Sequence, residues 1–337
     1  MQDIDRHPVA EHSAIIEQIP VIDLADVLCD ASSNAALTAV DQIANACKTW
    51  GFFQVVNHGI DAALIDKVWQ QTHALFALPI EEKLEIERSR DNPWGFYNRE
   101  LTKNQRDKKE VFDFTRQDFD PIYQQHNRWP QRHPDVKTTL LAYQEACTGL
   151  SLNLLNAFCV GLDLPADYLH PQFEGNHTGF VRLNYYPVKD PLADENTAQE
   201  QIADLGIHHH TDAGALTVLL QDAVSGLQVY RDGLWYDVPT VEGAITINTG
   251  DMMQVWSNDI YQAAIHRVRA MEERERYSIP FFLNPAADCR VSPLPSVSST
   301  DNPCRYQPII WGDYRGRRSD GDFADYGTEV QISQYRI

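Results

Sequence analysis

Residues 213–248 read AGALTVLLQDAVSGLQVYRDGLWYDVPTVEGAITIN, four runs of β-branched, aromatic and other apolar residues interrupted by short turns that contain Gly or Asp. Such runs predict antiparallel strands joined by tight connections. The same texture continues on both sides, and we predict eight strands over residues 179–186, 213–221, 226–231, 234–238, 244–248, 252–256, 264–268 and 277–283. Eight strands at this spacing are typical of a jelly roll, in which two antiparallel sheets face each other.

Upstream of about residue 175 the apolar residues recur every three or four positions, which predicts helices. The clearest stretches are 37–50, 64–69 and 136–160. Between them, residues 51–56 predict one short strand that ends at the Asn57-His58-Gly59 turn. No proline-rich linker separates the two halves, so we expect one intertwined unit of the α+β class.

The change of texture gives three parts along the chain. We expect a mainly helical N-terminal module over residues 1–175, a jelly-roll core over 176–290 and a C-terminal extension over 291–337. The tail at 315–327 is charged and rich in turn residues, which predicts irregular structure there.

Composition limits the partners. The 337 residues include 28 Lys and Arg against 48 Asp and Glu, a formal charge of −20. Because a field of this sign repels phosphate backbones and anionic lipids, we expect neither nucleic acid nor a membrane as a partner. The sequence has no basic leader followed by an apolar stretch and no run of about 18 apolar residues, and we expect a cytoplasmic protein. Its six cysteines form no CxxC pair, so we predict neither a zinc knuckle nor a disulfide framework.

Two histidines and an aspartate stand where a metal site can form. His210 and Asp212 lie two residues apart at the entrance to a predicted strand, so their side chains face the same side. His266 lies in the predicted strand 264–268 and can supply a third ligand. Two imidazoles and one carboxylate leave adjacent positions open, as in non-haem iron(II) oxygenases. A His-x-Asp pair also occurs on ordinary protein surfaces, and His208 has the same strand parity as His210; the spacing to the aspartate favours His210.

A second pair of polar residues follows on the predicted strand 277–283. Arg276 and Ser278 share one face, and a guanidinium can hold a carboxylate through two parallel hydrogen bonds. The alternative is an arginine that pairs with a surface glutamate, for which Glu272, Glu273 and Glu275 are available.

These pieces belong to a longer ordered set of motifs that resembles the isopenicillin N synthase-like family of iron(II)/2-oxoglutarate dioxygenases. The similarity spans roughly residues 19–285 and rests on residues 19–24, 50–59, 109–114, 182–187, 210–217, 225–229, 233–239, 248–251, 266–268 and 276–278. It implies a double-stranded β-helix core, which is the jelly roll predicted above.

The resemblance also implies roles for individual residues. His210, Asp212 and His266 are expected to bind Fe(II), and Arg276 and Ser278 to hold the distal carboxylate of 2-oxoglutarate. Tyr186 is expected to add a phenolic hydrogen bond, and Asn184 to contact the cosubstrate or its water. Ascorbate is expected to stimulate turnover. We assign turn and core roles to Gly226, Trp235, Asn248, Gly250 and Asp251.

The function implied is oxidation, chiefly hydroxylation, of a small-molecule metabolite by O₂, with release of succinate and CO₂. One alternative is an iron oxidase of the same fold that does not use 2-oxoglutarate, similar to isopenicillin N synthase or aminocyclopropanecarboxylate oxidase. Another is a non-enzymatic β-barrel binding protein, against which the intact triad and the Arg276/Ser278 pair argue.

Four aromatic residues are candidates for the substrate lining: Phe96, Tyr97, Phe112 and Phe282. The first three lie in the predicted helical module, where the alternative is that they pack its interior. Phe282 shares the strand face of Ser278, which places it toward the predicted site.

Overall fold

The computed structural model describes residues 4–10, 19–29, 33–102, 105–116, 119–190, 192, 205–320 and 330–337. In these ranges the helices are α1 (Ala25–Cys29), α2 (Asn34–Thr49), α3 (Ala62–Phe76), α4 (Ile80–Leu84), α5 (Pro134–Val160), α6 (Asp251–Trp256) and α7 (Trp311–Asp320), with 3-10 turns at Ile4–Arg6, His170–Gln172, Pro295–Val297 and Ile332–Tyr335. Within the same ranges, no helix combines the length and the apolar character that crossing a bilayer requires.

The strands are mostly short. They are β1 (Val21–Asp23), β2 (Phe52–Val56), β3 (Gly95–Tyr97), β4 (Leu101–Thr102), β5 (Gln105–Arg106), β6 (Glu110–Thr115), β7 (Phe119–Asp120), β8 (Gln125–His126), β9 (Phe180–Tyr186), β10 (Leu205–His210), β11 (Leu216–Gln221), β12 (Leu227–Arg231), β13 (Leu234–Asp237), β14 (Ile245–Thr249), β15 (His266–Arg269), β16 (Arg276–Leu283), β17 (Arg290–Val291) and β18 (Ile309–Ile310).

Two of the sheets face each other. The larger has eight strands in the order β1-β2-β14-β11-β16-β9-β6-β3, and the smaller has four in the order β10-β15-β12-β13. All neighbouring pairs in both sheets are antiparallel except β1 and β2. Phe52 and Leu219 of the larger sheet pack with Leu227, Val229 and Val268 of the smaller one. The predicted α+β class and jelly-roll core are confirmed.

The larger sheet is buried on both faces: alternate side chains along its strands pack against the helices on one side and the smaller sheet on the other. On β11, Val218 belongs to the hydrophobic core beneath the helices, whereas Leu219 packs toward the smaller sheet. The predicted helix at 136–160 is α5, which packs against β11 and β16. Its buried residues recur at helical spacing, among them Leu140, Tyr143, Cys147, Leu150, Leu154 and Phe158. The larger sheet is therefore closely packed on both faces, between the helices and the smaller sheet.

The N-terminal half also contributes strands. β1, β2, β3 and β6 all join the larger sheet, although all four precede residue 176. The predicted strand at 51–56 corresponds to β2, and the turn after it contains Asn57 and Gly59 at positive φ values of 52° and 79°. Gly tolerates this conformation because it lacks a Cβ atom. The halves are intertwined, as expected from the absence of a linker.

The strand predicted at 252–256 is wrong, since these residues form helix α6. Met252, Met253, Val255 and Trp256 are all buried in the core, so the apolar residues follow neither a helical nor a strand period clearly. A short apolar run of this kind does not distinguish a buried helix from a strand. Strand β10 is not among the predicted strands, because its run of three histidines has no pattern typical of a strand.

The tail is more ordered than predicted. Residues 311–320 form α7, whose Trp311, Tyr314 and Arg315 are buried at spacings of three and four residues. These few anchors are enough to dock a helix whose other residues are charged or small, which is why composition predicted irregular structure. The remainder of that prediction, residues 321–327, lies outside the described residues.

Candidate metal centre

The paired ends of β10 and β15 bring two histidines together. His210 and His266 are direct partners in the sheet register, and their ring centroids are 4.3 Å apart. Asp212 follows two residues after β10 ends, and its Oδ1 atom lies 3.8 Å from Nε2 of His210 and 3.7 Å from Nε2 of His266. One ligand atom from each residue falls within 4.8 Å of the others, and among the described residues this is the one such group of three.

Each of the three side chains is oriented by a second contact. Nδ1 of His210 lies 2.8 Å from the carbonyl oxygen of His208, and Nδ1 of His266 lies 2.9 Å from that of Ala264. With the proton on Nδ1 donated to the carbonyl, Nε2 presents its lone pair toward Asp212. Both imidazoles are therefore aimed at the same point.

Two hydrogen bonds fix the carboxylate. Oδ2 of Asp212 accepts from Oγ1 of Thr217 at 2.5 Å and from Nδ2 of Asn248 at 2.8 Å. Its other oxygen, Oδ1, faces the two imidazoles. The donor set is thus two imidazole nitrogens and one carboxylate oxygen, which suits a first-row divalent metal such as Fe(II).

The protonation states favour metal binding. Burial and, to a smaller extent, the adjacent His266 lower the pKa of His210 to about 3. Burial alone would raise the pKa of Asp212, but the imidazoles of His266 and His210 and the hydrogen bonds from Thr217 and Asn248 bring it below its ordinary value. At neutral pH the aspartate is ionised and His210 is neutral, the forms that bind metals.

Arg276 is buried and lines the same cavity as His210, Asp212 and His266. Arg276 and Ser278 of β16 are paired in register with Tyr186 and Asn184 of β9. Nη2 of Arg276 donates to Oε1 of Gln221 at 2.9 Å, while its Nε and Nη1 atoms are buried and have no hydrogen-bond partner in the part of the chain that the structure describes. Buried donors are seldom left unpaired, so two unpaired donors on one guanidinium point to an anion that completes them.

The residues around Arg276 complete this polar end. Nδ2 of Asn184 donates to Oγ of Ser278 at 3.4 Å, and the guanidinium carbon of Arg276 lies 5.1 Å from the centre of the Tyr186 ring. Since Nη2 bonds to Gln221 and the arginine is only 1% exposed, the alternative of a surface pair with nearby glutamates does not fit.

Two adjoining cavities meet at the cluster. The first, of about 130 Å³, lies between the two sheets and is lined by His266, Arg276 and Tyr186. The second, of about 180 Å³, is lined by α7 through Trp311 and Arg315. His210, Asp212, Arg182, Phe282 and Arg318 line both.

A buried ionic network forms one wall of the first cavity. The Glu100 carboxylate lies 2.8 Å from Arg88, 2.7 Å from Arg182 and 2.6 Å from Lys109. Asp113 bonds to both arginines at 2.8 Å. Burial alone would raise the pKa of Glu100, but Arg182, Lys109 and Arg88 hold it well below its ordinary value. This wall is charged and fixed in place by its own ion pairs.

Of the four aromatic residues predicted to line the substrate site, one lines the cavities and three do not. Phe282 lines both cavities, as its strand parity predicted. Phe96 and Phe112 are fully buried in the hydrophobic core, and Tyr97 stacks 4.5 Å from the Arg88 guanidinium; none of these three lines either cavity. Phe112 pairs with Leu183 on β9, so it occupies the face opposite to the cavity residues Arg182 and Asn184.

Two polar residues of the site were missed. Thr217 was not singled out and Asn248 was assigned to the core, yet both bond to Asp212 and line the first cavity. A signal was present for Asn248, because Ile245 and Ile247 are apolar whereas Thr246 and Asn248 are polar, which predicts a polar face on β14.

Comparisons with known proteins agree with this geometry. The family model described as 2OG-Fe(II) oxygenase superfamily matches residues 177–285, and the one described as non-haem dioxygenase in morphine synthesis N-terminal matches residues 19–135. The chain is 35% identical to flavanone 3-dioxygenase 2 of Oryza sativa subsp. japonica, over 88% of this chain and 82% of that protein. It is 33% identical to 1-aminocyclopropane-1-carboxylate oxidase 5 of Arabidopsis thaliana, over 88% of this chain and 92% of that protein. The crystal structure of JOX2 in complex with 2OG, Fe and JA superposes with a TM-score of 0.78 at 30% identity, covering 98% of this chain and 92% of that one.

Proposed function

This chain belongs to the 2-oxoglutarate and iron(II)-dependent oxygenases, and from that premise we propose that His210, Asp212 and His266 hold its iron while Arg276 anchors its 2-oxoglutarate. The enzyme is a 2-oxoglutarate-dependent dioxygenase, and Fe(II) and 2-oxoglutarate are its cofactors. The observation that carries the assignment of residues is the convergence of both Nε2 atoms on Oδ1 of Asp212, at 3.8 and 3.7 Å.

The donor set fits the metal. Three protein ligands on one side leave room for further ligands on the other, where the two cavities meet. The contacts to Nδ1 of each histidine and to Oδ2 of Asp212 hold all three ligands in place before a metal arrives, which reduces the cost of ordering them on binding.

The fit to the cosubstrate rests on Arg276. Its buried Nε and Nη1 donors have no partner among the described residues, so the guanidinium keeps free N–H groups for a carboxylate. Ser278 and Asn184 stand beside this guanidinium, and the Oδ1 atom of Asn184 is also buried without a partner among the described residues. We assign these residues, with Tyr186, to the far carboxylate of 2-oxoglutarate and its surroundings.

Iron and 2-oxoglutarate together supply the activation of O₂ that is coupled to oxidative decarboxylation of 2-oxoglutarate to succinate and CO₂. The protein positions the reacting molecules and excludes water from the site. The apolar side chains of Leu219, Leu227 and Val268 line the first cavity between the two sheets. We assign the second cavity, between Phe282 and α7, to a small-molecule substrate, with hydroxylation as the expected outcome.

The test is the release of succinate from the purified protein supplied with Fe(II), ascorbate, O₂ and 2-oxoglutarate. We expect slow succinate formation by the wild type, its loss in Asp212→Ala, and a large rise in KM for 2-oxoglutarate in Arg276→Ala. Arg269→Ala, at the partly exposed end of β15, is the matched control and should behave as the wild type. An unchanged KM for 2-oxoglutarate in Arg276→Ala would refute the anchor, and succinate formation by Asp212→Ala at the wild-type rate would refute the ligand set.

A further inference from the structure

A short N-terminal segment crosses the whole four-stranded sheet. We call residues 4–10 the N-terminal clasp. Nε1 of Trp235 on β13 donates to the carbonyl oxygen of Ile4 at 2.8 Å, and the hydroxyl of Tyr230 on β12 lies 2.7 Å from Nδ1 of His7. Arg267 on β15 donates to the carbonyl oxygen of Asp5. The clasp thus contacts three strands of the smaller sheet in addition to β10.

Asp5 of the clasp contacts β10, the strand that carries His210. Oδ2 of Asp5 lies 3.0 Å from Nδ1 of His208 and 2.7 Å from Nδ1 of His209. These are the two residues directly before the proposed ligand. Asp5 is 203 and 204 positions away from them in sequence, so the contact is purely tertiary.

β10 needs such a contact because it is an edge strand with an irregular ladder. Among the described residues it pairs only with β15, and its register shifts twice, between Leu205 and Ile207 and again between Ile207 and His210. In a regular strand, neighbouring side chains point to opposite faces. Here His208 and His209 reach the same carboxylate oxygen, so Asp5 binds the irregular stretch itself. Bulges of this kind re-aim a side chain next to an active site.

His208 links the clasp to the orientation of His210. The His208 side chain is held by Asp5, and the His208 carbonyl oxygen lies 2.8 Å from Nδ1 of His210. The His210 ring therefore takes its orientation from a backbone group whose own side chain is tied to the clasp. One path from Asp5 to the Nε2 atom that faces Asp212 therefore runs through His208. His209 and Arg267, which also contact Asp5, lie next to the proposed ligands His210 and His266.

We propose that Asp5 is a positioning residue for the metal centre, which holds the irregular end of β10 so that His210 presents Nε2 to the iron. The proposal rests on the assignment of His210, Asp212 and His266 as ligands. Removing the Asp5 carboxylate should leave all three ligands present but allow His210 to move, so metal affinity falls while the anchor for 2-oxoglutarate is intact.

The experiment is a titration of the full-length apoprotein with Mn(II), with the free ion measured by electron paramagnetic resonance. Asp5→Ala and Asp5→Asn should weaken Mn(II) binding by about tenfold, the lower end of the range for groups that orient metal ligands. Asp5→Glu, which keeps a carboxylate, should recover part of the affinity. Tyr230→Phe removes the clasp contact to β12 without touching β10, and is the matched control that should bind Mn(II) as the wild type does.

Two further readouts separate positioning from a general loss of stability. Amide hydrogen exchange over residues 205–210 should accelerate in Asp5→Ala and not in Tyr230→Phe. KM for 2-oxoglutarate should be unchanged in both. If Asp5→Ala and wild type bind Mn(II) equally, or if Tyr230→Phe weakens binding as much, the role of Asp5 is refuted while the metal centre stands. If His210→Ala binds Mn(II) as tightly as wild type, the metal centre itself is refuted, and the role of Asp5 with it.

Discussion

The side-chain amide of Asn248 lies 2.8 Å from Oδ2 of Asp212, although the two residues are 36 positions apart. The contact joins β14, in the middle of the larger sheet, to the turn that follows β10 of the smaller one. A carboxylate held in this way presents its other oxygen, Oδ1, in one direction only. The geometry of the proposed metal centre therefore depends on a residue that is not one of the proposed ligands.

Replacing Asn248 with Ala should weaken metal binding without removing a ligand. The carboxylate of Asp212 would keep its bond from Thr217 but lose the second one, and we expect a loss of Mn(II) affinity of about tenfold. Thr246→Ser, two residues earlier on the same face, is the control and should bind normally. Equal affinities for Asn248→Ala and wild type would show that Thr217 alone holds the carboxylate.

The buried ion pairs around Glu100 should contribute to the stability of the fold. In Glu100→Gln the buried Arg88, Arg182 and Lys109 lose the carboxylate that they share, and breaking a buried pair in this way costs about 3 to 5 kcal/mol in the free energy of unfolding. Arg132→Gln, which breaks an exposed pair with Glu82 and Glu85, should cost no more than about 1 kcal/mol. Urea denaturation measures both, and similar values for the two variants would contradict a stabilising role for the buried network.

His177 predicts a dependence of stability on pH. Burial lowers its pKa from 6.5 to about 4, with Arg116 adding to the effect. Between pH 4 and pH 6.5 the unfolded chain binds a proton at this residue that the folded chain does not. The contribution of His177 to the free energy of unfolding is therefore complete above pH 6.5. It falls by about 3 kcal/mol as the pH decreases toward 4. His177→Asn keeps an acceptor for the backbone N–H of Gly179 but does not titrate. Unfolding free energies measured from pH 7 to pH 4 should therefore fall more steeply for wild type than for His177→Asn, and parallel curves would contradict the assignment.

Metal binding should stabilise the fold. A ligand that binds only the folded state raises the free energy of unfolding by about 2.7 kcal/mol at 100 times its Kd. Addition of Mn(II) to the wild-type apoprotein should raise the melting temperature, and a chelator should reverse the change. His266→Ala should show no such rise, whereas His126→Ala, at an exposed site on β8, should respond as wild type does. A rise of equal size in His266→Ala would place the bound metal elsewhere.

The sequence was informative where the pattern was local. Runs of β-branched and aromatic residues between short turns predicted the strands around Thr217 and Ser278, and strand parity predicted that Arg276, Ser278 and Phe282 share a face. The three residues expected to bind iron do lie within reach of one another, since His210 and His266 are cross-strand partners. The resemblance to a known family supplied the order of these motifs.

Long-range contacts explain most of what the sequence did not predict. Nothing local to Asn248 shows that it bonds to Asp212, because that contact depends on how the strands are paired. The same holds for Asp5, whose partners lie more than 200 positions away. For Phe96 and Phe112 the residue type was suited to a substrate pocket, but the register of β6 against β9 turned Phe112 to the other face.

The two sides of the active site have different origins in the chain. The proposed ligands and the carboxylate anchor stand on strands of the two facing sheets or in the turn between β10 and β11, whereas the outer wall of the second cavity is α7, a helix of 10 residues that follows all of those strands. Replacement of this one late helix would reshape the second cavity. It would also change the surroundings of the proposed ligands, because Arg318 of α7 lines the first cavity and donates to the carbonyl oxygen of Thr211, so we expect variation in α7 to alter substrate preference and the metal site together.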